Sequence, residues 1–257
     1  MGQWGRANGM TTSIPAMVGA EETYNSRCRE IERFFEMLQF MRDNRDSRLC
    51  GGESSDAANS NTYVVGRDLE KTLRASAYLM LYNLVEATMT NAIDAIHQHI
   101  ADEQVGFDEL KEDVRKIAIK GLRKAVSSET PSELLDSAIP ISSALIWLGF
   151  DKKDLFSGNL DGRLIKDKAK EYGFQLADHD KAASRDGVRL LNVKTKRNEL
   201  AHGGISFEDC GQDTSVDELV AIFDEIKIFI KAVLDGVSDY LSTRSYLHAV
   251  NANTVTA

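Results

Sequence analysis

Proline is scarce in this chain: 257 residues hold only Pro15, Pro131 and Pro140, against an average usage of about 5%. Aromatic residues are few as well, at 7%, and turn-forming clusters are widely spaced. The many short strands and frequent turns of a sandwich or barrel are thereby excluded. The three cysteines, Cys28, Cys50 and Cys210, are odd in number and lack CxxC or His-partnered spacing. Neither a disulfide framework nor a zinc site is expected, and the compartment reads as reducing. The longest nearly apolar stretch, residues 138–150, falls short of the ~20 residues that span a membrane. The first twenty residues have no continuous apolar core and no basic leader, so no secretory signal is expected and the expected location is the cytoplasm. Positive charge is in deficit too, with 31 Lys and Arg against 40 Asp and Glu and a net charge of -9. Such a chain repels phosphate backbones, so nucleic-acid chemistry has to rest on a local patch.

What the chain does have is helical periodicity and, at 42% hydrophobic residues, enough apolar material for a large core. Residues 1–20 read as a flexible lead-in, 21–247 as one all-α domain with a helical subregion inserted at 103–184, and 248–257 as a flexible tail. Tyr24, Cys28, Ile31, Phe34, Phe35, Leu38 and Met41 recur at steps of three and four and predict a helix ending near Asn44. Leu49–Thr62 is rich in Gly, Ser, Asn and Asp and reads as a loop. Residues 67–100 predict a central helix whose run at 77–85 is apolar on nearly every face. Within that run Asn83 and Glu86 lie three apart, and Tyr82 lies four before Glu86 on the same side. A basic amphipathic helix is expected over 107–127, one or two short helices around Pro140, and a short helix capped by Asn159 and stopped by Gly173.

Toward the C-terminus, 185–201 predicts a helix with Val188, Leu191, Val193 and Leu200 as its apolar positions, and 205–214 reads as a loop. Ser215 and Glu218 form a capping box before a long amphipathic helix through Leu241. Between Arg185 and Arg197 stand five cations (Arg185, Arg189, Lys194, Lys196, Arg197) against Asp186 alone, a patch opposed to the overall sign. At the end of this helix Asn198 and His202, four apart, share a face, whereas Arg197 lies about 140° round the axis from His202 and about 7.5 Å along it. The two meet a common phosphate if Arg197 reaches round, if the helix breaks at Gly203, or if a second copy contributes the same helix. Spacing alone leaves another reading open, in which His202 is a helix-terminal residue before a glycine stop.

Arg197, Asn198 and His202, as Arg-Asn-x-x-x-His, resemble the Arg-x4-6-His motif of the HEPN superfamily. The surroundings of His202, namely Leu200-Ala201-His202-Gly203, Ser206-Phe207, Gly211, Thr214 and Leu219, resemble a bacterial HEPN-like nuclease branch associated with toxin and phage-defence loci. So do residues 81–86, 157–161 and 172–174. The resemblance implies an all-α, HEPN-like bundle with long central and C-terminal helices, dimeric, acting as a metal-independent endoribonuclease with no cofactor. It implies Arg197 and His202 as catalytic residues assisted by Asn198, an RNA substrate, and an antitoxin or defence-complex partner. Asn83, Glu86, Lys194, Lys196 and Glu199 are the expected supporting or RNA-binding residues. Some members of the superfamily carry a tyrosine two positions after the histidine, where a partner enzyme modifies it. Gly204 stands there in this chain, so silencing by that route is not expected. From another class, the same residues fit a non-catalytic nucleotide-binding or protein-interaction module of a defence system.

Overall fold

Thirty-six residues of uninterrupted helix, α2 (Arg67–Asp102), run through the centre of the fold, about 54 Å from end to end. The computed structural model describes residues 14–44, 48–51, 62–127, 140–150, 156 and 159–248. Leu81, Tyr82, Leu84, Val85, Met89 and Ile93 of α2 are all buried, which fits the apolar run read from the sequence. Helix α1 (Val18–Asp43) packs against one side of α2, and α6 (Arg189–Ala201), α7 (Phe207–Gln212) and α8 (Val216–Ser242) take the others.

The α1 face that meets α2 and α8 is Ala20, Cys28, Ile31, Phe35, Leu38 and Met41, the three-and-four spacing of one helix stripe. Phe35 meets Phe223 of α8 edge to face at 5.7 Å. The Tyr24 hydroxyl donates to the Lys227 carbonyl at 3.2 Å. The expected lead-in ends earlier than residue 20. A short 3-10 turn at Pro15–Met17 opens into α1, and Met17 and Ala20 are buried, because apolar side chains here have a core to enter. Residues 1–13 lie outside the described part.

The loop expected at 49–62 is bordered by paired strands, β1 (Arg48–Cys50) and β2 (Thr62–Val64), antiparallel with Leu49 opposite Tyr63. Residues 52–61 are not among those described. The helix expected over 107–127 is divided: a 3-10 turn at Phe107–Glu109 precedes α3 (Glu112–Ala125). Leu110 between them is extended and bridges to Leu247, so the backbone there is spent on a strand-like pairing. Tyr246 is buried and the His248 N–H donates to the Glu109 carbonyl at 3.0 Å, which carries the ordered fold through residue 248. Residues 249–257 of the expected tail fall outside the description.

Helix α4 (Ile141–Gly149) follows Pro140 as expected, and the remainder of that apolar stretch, 132–139, is undescribed. It crosses α3 so closely that a Cβ on Gly121 would stand 1.9 Å from the Gly149 carbonyl oxygen. Helix α5 (Gly162–Tyr172) is capped by Asp161, whose carboxylate accepts the Leu164 N–H at 3.0 Å. Asn159, the expected cap, lies two residues too early. Gly173 ends α5 in the left-handed region at φ +81°, as its sequence position suggests. Val105, Leu110, Ile146, Leu160, Ile165 and Tyr172 join the same core as α2 and α8, so the 103–184 segment shares the interior of the bundle. Among the described residues no helix is long and apolar enough to cross a membrane.

Helix α7 corrects the loop expected at 205–214. Ser206 caps it by accepting the Asp209 N–H at 3.0 Å, and Gly211 lets it lie against the α2 backbone at Lys71. Ser215 caps α8 through the Glu218 N–H at 3.1 Å. The Glu218 carboxylate turns instead to Arg189, at 3.4 Å.

Candidate active site

Helix α6 carries the Arg-Asn-x-x-x-His string, and its entry is unusual. Arg185, Asp186 and Gly187 all lie in the left-handed region, at φ 45°, 51° and 78°. A non-glycine residue held there costs about 1–3 kcal/mol. The Lys166 ammonium braces the turn by donating to both the Asp186 carboxylate and its carbonyl, at 2.6 and 2.8 Å, and Arg185 pairs with the nearly buried Glu225 at 2.9 Å. After this turn Leu190, Val193 and Leu200 face the core. Val188 and Leu191, expected among the buried positions, are 69% and 54% exposed. The four expected positions span two sides of a helix, and only the 193–200 side meets α2 and α8.

At its other end α6 stops on the glycine pair. The His202 N–H bonds to the Asn198 carbonyl, the Gly203 N–H to Leu200 and the Gly204 N–H to Glu199, with Gly203 at φ +70°. These bonds form a Schellman ending. His202 is the C-cap, one position past the last helical residue Ala201, with its imidazole exposed, and no hydrogen bond fixes the ring among the described residues.

Arg197 points elsewhere. Its guanidinium carbon lies 4.5 Å from the centroid of the Tyr82 ring, and Nη1 donates to the Asn198 side-chain oxygen at 2.9 Å. The Tyr82 ring is buried. Its hydroxyl donates to Glu86 Oε1 at 3.3 Å and accepts the Leu160 N–H at 3.2 Å. Burial, with the Glu86 carboxylate adding to it, pushes the phenol's pKa upward against the opposing influence of Leu160 and Arg197. Tyr82 therefore stays a neutral hydrogen-bond donor.

The cationic patch read from the sequence is largely neutralised in three dimensions. Arg185 and Arg189 face Glu225, Arg189 also faces Glu218, Lys194 pairs with Asp161 at 2.5 Å and Lys196 with Glu199 at 3.5 Å. Burial opposes ionisation of Asp161, yet Lys194 and the backbone N–H groups of Leu164 and Arg163 outweigh it and hold the carboxyl below its usual pKa. Of the five cations, Arg197 alone has no carboxylate partner among the described residues.

The structure thus brings Glu86, Asn198 and Arg197 together around Tyr82 and places His202 one helical turn beyond Asn198. Asn83 is exposed and makes no hydrogen bond among the described residues, so it does not brace Arg197. Lys194 is engaged in holding α5 to α6. Glu199 is occupied by Lys196 and bonds Gly204 through its carbonyl, not its carboxylate. The site residue that sequence reasoning missed is Tyr82, whose one signal was its spacing of four from Glu86. Ser157 and Gly158 are not among the described residues. No group of three or more His, Cys, Asp or Glu side chains suited to hold a metal occurs among the described residues.

A family model described as HEPN_MAE_28990-like HEPN matches residues 20–246. No curated protein and no solved structure matches the chain.

Proposed function

Because the chain belongs to this HEPN family, we propose that it is a metal-independent endoribonuclease with Arg197 and His202 as catalytic residues, serving as a toxin or defence effector. The observation that carries this reading is the state of Arg197: a guanidinium with no carboxylate partner among the described residues, laid on a buried ring beside Asn198 and followed, one turn on, by an exposed imidazole.

The chemistry asks for little else. The RNA 2′-hydroxyl gives its proton to the imidazole as O2′ bonds to the adjacent phosphorus. The P–O5′ bond then breaks and O5′ takes a proton, leaving a 2′,3′-cyclic phosphate and a free 5′-hydroxyl. Histidine suits the transfer because its unperturbed pKa of about 6.5 lies near neutrality. The planar fork of Arg197 suits the phosphorane because it donates to two oxygens at once. Asn198 holds the fork in place through Nη1.

The test is to incubate the pure protein with RNA in EDTA and identify the ends. Cleavage leaving 2′,3′-cyclic phosphate and 5′-hydroxyl termini is expected. A folded, inactive wild type would shift the reading to a non-catalytic nucleotide-binding or protein-interaction module.

The site is proposed to be completed by a second copy. Arg197 and His202 project from different sides of α6. The exposed side carries Val188, Leu191, Thr195 and His202, a stripe apolar at one end and chemically active at the other. Light scattering at micromolar concentration is expected to give twice the 28.5 kDa chain mass. A monomer with full activity would remove this part of the reading. An antitoxin or defence-complex partner is proposed on family grounds, and gene neighbours are the place to look for it.

A further inference from the structure

We infer that Tyr82 is a positioning residue for Arg197, setting where the guanidinium can deliver its hydrogen bonds. The inference rests on the ribonuclease reading for its catalytic consequence but not for its geometry.

Arginine carries several rotatable bonds, and at a surface its head samples many positions. Arg197 is only partly exposed, and two contacts narrow its range. One is the face of Tyr82 at 4.5 Å, well within the ~6 Å over which a ring attracts a cation. The other is the Asn198 oxygen at 2.9 Å. The ring in turn cannot move. It is buried in the central helix, and its hydroxyl is held from both sides, by Glu86 one turn along α2 and by the Leu160 N–H from the segment that leads into α5.

Glu86 gains a role from this arrangement. Its carboxylate accepts the phenol hydroxyl at the edge of the ring, while the guanidinium lies over the face, and Glu86 and Arg197 form no ion pair among the described residues. A direct Glu–Arg pair would occupy the fork that the phosphorane requires. The face of a neutral ring, itself held by Glu86 at its hydroxyl, attracts the cation without occupying its donors. The raised pKa of the phenol keeps the ring neutral through the working pH range.

Two variants separate ring from hydroxyl. Tyr82→Phe keeps the face and removes the hydroxyl, and Tyr82→Leu removes the face. The side-chain Nε–Hε resonance of Arg197 in a 15N-labelled sample, assigned by its loss in Arg197→Ala, reads the geometry without reference to activity. It is expected to be shifted by the ring current in wild type and Tyr82→Phe, and to move to the ordinary arginine position in Tyr82→Leu. In RNA cleavage Tyr82→Leu is expected to lower kcat about 100-fold, as misplacement of a catalytic group does. KM should change little, and Tyr82→Phe should recover most of the loss. An Arg197 resonance unchanged in a folded Tyr82→Leu protein, or equal kcat for Tyr82→Leu and wild type where Arg197→Ala is dead, would overturn the inference. If Arg197→Ala cleaves as well as wild type, the ribonuclease assignment of Arg197 fails instead, and the resonance still decides whether Tyr82 holds it.

Discussion

Alanine in place of His202 is expected to slow RNA cleavage about 100- to 10,000-fold, the range associated with losing a general acid or base. Arg197→Ala is expected to cost about 100- to 1,000-fold through the loss of charge stabilisation in the transition state. Both variants should fold normally. The His202 imidazole is exposed and, among the described residues, bonds to nothing through its ring, and Arg197 contributes there one cation–π contact and one hydrogen bond. The competing reading makes a different prediction. If His202 were only a helix terminator, its loss would shift stability by about 0.3–1 kcal/mol in the protonated form and leave cleavage unchanged. Initial rates on one RNA in EDTA, beside circular-dichroism melting of the same samples, distinguish the two. Arg197→Lys adds a finer comparison, since it retains the charge but loses the two-pronged donor geometry.

The largest stability effect expected from a single small substitution lies at Gly211. A Cβ there would stand 1.8 Å from the Lys71 carbonyl oxygen and 2.6 Å from its carbon, backbone atoms in the middle of a helical turn of α2. A side chain cannot rotate away from this clash, so α7 itself must lift. Overpacking of this kind costs about 1–3 kcal/mol and occasionally more. For Gly211→Ala we expect about 3 kcal/mol, a fall of about 6–12 °C in Tm at this chain length. Gly19→Ala is the matching control. Gly19 is exposed within α1, nothing lies within 4 Å of its added Cβ, and alanine should raise stability by up to ~1 kcal/mol. Equal melting of Gly211→Ala and wild type would refute the close α2–α7 packing. Because α7 follows the glycine turn after His202, Gly211→Ala is also expected to reduce cleavage.

The long helices were readable because each carries several turns of one period: α1, α2 and α8 were placed by the recurrence of apolar residues at three and four. Helix α7 was not, since six residues are too few to display a period and Gly211 and Asp209 read as loop residues. Its cap, Ser206 three before Asp209, was the available signal. The kink at Arg185–Gly187 escaped for a related reason, as two of its three left-handed residues are not glycine. In the site, the motif itself was legible but its electrostatics were not. The local excess of cations looked like a phosphate-binding patch because Asp161, Glu218 and Glu225, which neutralise it, come from distant parts of the chain. The neighbour that matters most to Arg197 is Tyr82, 115 positions earlier, and no local pattern links the two.

The hydrogen bond from Tyr24 to Lys227 closes a separation of 203 residues, and α8 packs on both α1 and α2. At synthesis rates of about 5–20 residues per second, the second partner is made roughly 10–40 s after the first. Until then the buried sides of α1 and α2 have no α8 to cover them, and Glu225 is not there to receive Arg185 and Arg189 at the entrance to α6. Maturation of the site is therefore timed by translation: the helix that bears Arg197 and His202 emerges with its partner α2 already made, and its entry turn gains Glu225 only when the last long helix arrives.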